Sequence, residues 1–128
     1  MGQTSPIGRQ IVLVVEDDPL LRMMAADLVE QAGFDALEAA DADEAVLILE
    51  NRTDIRIVFT DIDMPGSMNG MLLAAAIRDR WPPIDIIITS GHFNPKGLAI
   101  PERSVFFSKP YDSAKVTATL QRMAESQH

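Results

Sequence analysis

The chain has 128 residues, 47% of them hydrophobic and 23% charged, with a net charge of −8 and no cysteine. That length favours one domain, able to bury roughly two-thirds of its unfolded surface, and the missing cysteines exclude disulfides, thiolate metal sites and cysteine nucleophiles. The acidic balance leaves no basic patch to displace phosphate counterions, which argues against direct nucleic-acid binding, and no apolar run nears the ~20 residues that span a bilayer.

The first ten residues lack the apolar core of an export signal, so residues 1–9 read as a flexible lead to a domain over 10–126, expected in the cytoplasm. Ile11–Val15 is short, apolar and rich in β-branched residues, as in a strand buried on both faces. Asp18-Pro19 predicts a helix start, with proline at the first helical position. Leu21, Met24, Ala25, Leu28 and Ala32 then share one helical face, and Gly33 is the stop. Phe34–Ala39, interrupted by polar residues, suits an edge strand. Asp41 with Glu44 forms a capping-box pattern ahead of Ala45, Val46 and Leu49.

Ile55–Phe59 repeats the buried-strand pattern. Gly70–Trp81 is rich in Leu and Ala and stops before Pro82-Pro83, which cannot continue a helix. Ile84–Ile88 is the fourth strand and Ser104–Phe107 a weaker fifth; Val116, Leu120 and Met123 mark a last helix after Asp112. Between those strands, Gly91–Glu102 carries Pro95, Gly97 and Pro101, so the helix expected there is short or missing. Alternating strands and helices predict an α/β, flavodoxin-like (βα)5 three-layer sandwich with parallel strand order 2-1-3-4-5.

In such a sheet ligands bind beyond the carboxyl ends of the strands. Those ends carry Glu16-Asp17-Asp18, Asp61, Thr89-Ser90 and Ser108-Lys109-Pro110. Strand order brings them together, and converging carboxylates repel by about 4 kcal/mol per pair at about 4 Å and an effective dielectric of about 20. A bound cation or a retained proton must offset that. Neither histidine nor cysteine joins the cluster, so oxygen-loving Mg2+ suits it better than a soft metal. A metal beside a hydroxyl and an ammonium also makes a cradle for a transferring phosphoryl group.

The runs VVEDD, TDIDMPG followed by NG, IIITSG and FSKP resemble the receiver domain of two-component response regulators, over nearly the whole chain from Ile11. The resemblance implies that Asp61 is the phosphoacceptor and forms an acyl phosphate. It implies Asp17 as direct Mg2+ ligand, Glu16 holding a coordinated water, and the backbone carbonyl of Asp63 completing the protein's share with Asp61. Thr89 and Lys109 would bind phosphoryl oxygens, Phe106 would be the switch aromatic, and Lys109–Pro110 would be cis. It further implies a histidine kinase or histidine phosphotransfer protein as partner, a possible protein target, no membrane, and a monomer or weak dimer. Asp63 would affect how long the acyl phosphate survives.

Each feature also has a plainer reading. Acids at residues 16–18 suit a helix N-terminus, Asp61 before Met-Pro-Gly suits a turn, and Phe106 suits a core. His92 reads as a loop residue and Trp81 as helix-end packing. The conjunction, in chain order and at strand ends, outweighs these. A haloacid-dehalogenase-like phosphatase fits less well, since Glu16-Asp17 precede Asp61-Ile62-Asp63 and no matching acids follow Lys109. A dinucleotide module lacks its glycine-rich turn. Within the family, the chain reads as a stand-alone regulator, the alternative being a receiver excised from a hybrid histidine kinase or larger regulator. The segment 91–102 and the long loop at Gly66–Asn69 are the departures, and the first puts the usual output face in doubt.

Overall fold

The computed structural model describes residues 9–63, 69–91 and 100–126. Five strands form one sheet, β1 (Ile11–Val15), β2 (Asp35–Ala39), β3 (Ile55–Asp61), β4 (Asp85–Ser90) and β5 (Ser104–Ser108), in the order β2-β1-β3-β4-β5. Every pairing is parallel. Four helices occur among the described residues, α1 (Pro19–Gln31), α2 (Ala42–Asn51), α3 (Gly70–Arg80) and α4 (Ser113–Glu125). The sheet order and three-layer build are those predicted. The expectation about Gly91–Glu102 falls mostly on residues 92–99, outside the described residues, as does His92; the loop expectation at Gly66–Asn69 does so in part.

Each helix starts where the sequence places a cap. Asp18 accepts from the amides of Leu20 and Leu21, Asp41 from Glu44, Asn69 from Met71 and Leu72, and Asp112 from Ala114. These bonds satisfy first-turn N–H groups that no helical carbonyl can reach. Glu44 in turn reaches back past the cap, its Oε1 accepting from the Ala40 amide at 2.6 Å. Gly33 stops α1 with φ +104°, a conformation a side chain would strain.

The two sheet faces bury separate cores. Leu13, Val15, Val58, Ile86 and Ile88 pack under α2 and α3, against Leu49, Leu73, Ala74 and Ile77. Val12, Val14, Ile57, Phe59 and Ile87 pack under α1 and α4, against Val29, Val116, Leu120 and Met123. At the amino end of β4, Arg78 donates to the carbonyls of Glu102, Pro82 and Ile84, while Arg103 pairs with buried Asp85 at 3.0 Å. That brace joins α3 to the starts of β4 and β5. Trp81 packs on the α2–α3 core and lies under the Arg80 guanidinium, 4.4 Å from the ring centroid, as helix-end packing requires.

Strands β3 and β4 run on past their apolar runs to Asp61 and Ser90, the carboxyl ends read from the sequence, because Thr60, Asp61 and Thr89 stay in the ladder. One detail of α1 differs from the sequence reading. Of the five residues predicted to face inward along α1, Ala25, Leu28 and Ala32 do, and Ala26 and Val29 take the place of Leu21 and Met24. Ala25, Ala26 and Val29 are buried, whereas Leu21 and Met24 are 42% and 56% exposed. Small residues let the helix approach the sheet closely and turn the larger ones out.

Candidate functional site

The sheet order sets the carboxyl ends of β1, β3, β4 and β5 around one point. Asp61, the last residue of β3, faces Thr89 across the ladder, and the Ile62 amide donates to the Thr89 carbonyl at 2.8 Å. Glu16 follows β1 directly; its amide donates to the Ala39 carbonyl and its Oε2 accepts from the Asp18 amide, both at 3.1 Å. Glu16, Asp61 and Thr89 are 7%, 5% and 3% exposed, so these polar ends lie inside the fold rather than on its rim. Asp17 is exposed at the mouth.

Lys109 reaches in from the end of β5. Its Nζ lies 3.0 Å from Asp61 Oδ2 and 3.6 Å from Glu16 Oε1. The Lys109–Pro110 peptide is cis, as expected. The other Asp61 oxygen, Oδ1, accepts from the Asp63 amide at 3.2 Å. α3 begins against this turn, with the Gly70 amide donating to the Ile62 carbonyl at 3.3 Å. A cavity of about 690 Å3 opens beside the acids, between α1 and α4, lined in part by Leu21, Met24, Leu28, Phe59 and Tyr111.

Charge is unbalanced here. One ligand oxygen each from Glu16, Asp17 and Asp61 lies within 4.8 Å of the others. Burial, with smaller contributions from the Asp61 charge and a hydrogen bond to Asp17, pushes the Glu16 carboxyl up to about 7, against the Asp18 amide and Lys109, which lower it. Lys109 loses solvation too, but its hydrogen bond to Asp61 and the acids around it hold its ammonium above the usual lysine value. Burial raises the Tyr111 phenol. One ammonium against three carboxylates leaves room for a divalent cation, and an all-oxygen set, partly buried and open at Asp17, has the donor chemistry of Mg2+.

The structure brings together Glu16, Asp17, Asp61, Thr89 and Lys109. Asp63 adjoins them, but its carboxylate turns away, toward Ser90 and the Gly91 amide. Phe106 lies farther back, mid-strand in β5 opposite Ile88, half-buried on the α2–α3 core. Sequence reading missed the close seat of Gly70 and the link from Asp63 to Ser90. The Asn-Gly pair after the turn was the one available signal for Gly70, and nothing local signals a contact across 27 residues.

Comparison with known proteins identifies the family. The family model described as the response regulator receiver domain matches residues 12–121. The nitrogen assimilation regulatory protein NtrX of Azorhizobium caulinodans is 29% identical over 119 residues, 90% of this chain and 26% of that protein. The sensor kinase CckA of Brucella abortus is 31% identical over 124 residues, 94% of this chain and 13% of that protein. The chain thus spans 26% and 13% of the length of these two relatives. Among solved structures, the signal receiver domain of an HD domain-containing protein from Pseudomonas fluorescens Pf-5 superposes with a TM-score of 0.82 at 26% identity, covering 94% of this chain and 98% of that one. A receiver domain protein from Clostridium thermocellum gives 0.83 at 25% identity, with 92% and 96% covered. The chain belongs to the response regulator receiver domain family, the signalling module of two-component systems.

Proposed function

We propose that residues 10–126 work as a phosphoacceptor switch in a two-component phosphorelay, with Asp61 as the acceptor. The observation that carries this reading is the seat of Asp61: a buried carboxylate held by Lys109 at 3.0 Å, opposite Thr89, within a cluster of oxygen ligands. An Asp61 oxygen attacks the donor's phosphorus, the bond from phosphorus to the donor breaks, and the donor group leaves with the electron pair. An acyl phosphate remains on Asp61. Lys109 and the Thr89 hydroxyl bind its oxygens. Asp17, Asp61, the Asp63 carbonyl and, through a water, Glu16 would hold Mg2+, which would supply charge neutralisation for the transferring group. Phe106, mid-strand in β5, is the switch aromatic that responds to the modification. No turnover of other substrates is expected beyond phosphorylation from small donors and self-dephosphorylation.

The donor is a histidine kinase or histidine phosphotransfer protein. Leu20, Leu21, Met23 and Met24 stand exposed on α1 beside the site, an apolar face suited to such a partner. A second placement, as a receiver segment of a hybrid histidine kinase, draws support from the likeness to sensor kinase CckA. No described helix is long and apolar enough to cross a membrane. Beryllofluoride titration followed by 19F NMR tests the core of the reading. Binding should need Mg2+ and vanish in Asp61→Asn; binding in the variant, or none in the native protein, would defeat it.

A further inference from the structure

The contacts around Asp61 close into a ring that passes through the Asp63 carboxylate and Ser90, neither given a part above. Asp61 Oδ1 accepts from the Asp63 amide at 3.2 Å. The Asp63 carboxylate accepts from Ser90 Oγ at 3.2 and 3.1 Å, and from the Gly91 amide at 3.1 Å. The Ser90 carbonyl accepts from the Lys109 amide at 2.8 Å. Lys109 Nζ returns to Asp61 Oδ2 at 3.0 Å. Three strand ends are thus tied in one circuit that starts and finishes on the two oxygens of one carboxylate.

We propose that Asp63 is a positioning residue that brackets the end of β4 in the resting state, and that modification of Asp61 releases the bracket. The idea rests on the phosphoacceptor reading. Its physical basis is the sharing of one carboxylate between two contacts. A phosphoryl group on Asp61 turns one of its oxygens into a bridging ester-like atom and draws Lys109 toward new acceptors. The Asp63 amide then loses a charged acceptor, and such charge-assisted bonds are about twice as strong as neutral ones. Because Asp63 presents its amide to Asp61 and its carboxylate to Ser90 and Gly91, a shift at one end moves the other. Ser90 is buried, so its hydroxyl has little solvent to turn to when the carboxylate withdraws. Gly91 is exposed, and its amide passes from a carboxylate to water. The state of Asp61 is therefore legible at Gly91, at the far side of Ser90.

Amide hydrogen exchange at Gly91, measured by NMR with and without beryllofluoride and Mg2+, tests the bracket. In the native protein at rest, Gly91 should exchange at least about tenfold more slowly than after beryllofluoride binds, the scale of one lost hydrogen bond of about 1.4 kcal/mol. Asp63→Ala should raise the resting rate to the beryllofluoride-bound level, while the core amides of Val29 and Leu120 keep native rates. A merely structural loss would instead speed those amides too. Asp63→Asn, whose side-chain oxygen still accepts, should restore slow exchange at Gly91. Ser90→Ala, which removes one donor to the carboxylate, should give an intermediate rate. Equal Gly91 rates in the native protein and Asp63→Ala would overturn the proposal. So would beryllofluoride binding that leaves Gly91 unchanged, and that outcome spares the phosphoacceptor reading. Failure of the native protein to bind beryllofluoride at all would overturn both.

Discussion

Gly70 opens α3 with its α-carbon set against the backbone of Asp61. A Cβ there would lie 2.1 Å from the Asp61 carbonyl oxygen and 2.7 Å from the Ile62 α-carbon. Backbone atoms cannot swing aside as a flexible side chain can, so Gly70→Ala must push Asp61 or α3 out of place. The expected cost is about 1–3 kcal/mol, with weaker Mg2+-dependent beryllofluoride binding, read by thermal melting and by titration. Glu16 sets a pH dependence whose sign follows from its raised folded value of about 7 against an ordinary 4.5. Between those two values the folded state holds a proton that the unfolded chain has released, so stability falls as pH rises through the window and levels off above it. Melting in a chelator should show that decline, and Mg2+, which favours the ionised carboxyl, should flatten it. A metal-free melting temperature that rises from pH 5 to 7 would contradict the burial of Glu16. The acids, Thr89 and Lys109 could be read from the sequence because each is a chemically distinct residue at the end of a recognisable strand. Gly70 and the Asp63–Ser90 contact could not, since close approach and side-chain direction are products of tertiary packing.

At the scale of elements, caps and strands follow local chemistry closely. Asn69 accepts from the amides of Met71 and Leu72, both at 3.0 Å, at the helix that seats Gly70. Asn69→Ala should cost about 1 kcal/mol, a fall of about 3–5 °C in melting temperature for a chain of this size, while Asn69→Asp should cost less than half of that. The continuous apolar runs of β1, β3 and β4 were legible because strands buried on both faces need them. The carboxyl ends of β3 and β4 at Asp61 and Thr89-Ser90 were legible as well, and the ladder carries Thr60, Asp61 and Thr89 past the apolar residues to reach them. Periodicity placed Ala25, Leu28 and Ala32 correctly on the inward side of α1 but misplaced Leu21 and Met24. The pattern gives weight to the large residues Leu21 and Met24, whereas packing distance selects Ala25, Ala26 and Val29. The exposed leucines and methionines then become the apolar surface beside the site.

For the whole molecule, strand order does the functional work. Placing β1 between β2 and β3, and β4 between β3 and β5, brings carboxyl ends from distant parts of the chain to one end of the sheet. The helices cover both faces, so the acids gather where backbone and side chains have little water to screen them. That concentration of negative charge is costly to the fold unless a cation or a proton offsets it, and the same concentration has the donor chemistry of a divalent-cation site. The central claim is that Asp61 accepts that group. Intact mass after incubation with acetyl phosphate and Mg2+ tests it most directly. One added phosphoryl group is expected, not formed when Mg2+ is chelated beforehand and absent from Asp61→Asn. An adduct that persists in Asp61→Asn, or that forms equally well without Mg2+, would contradict it.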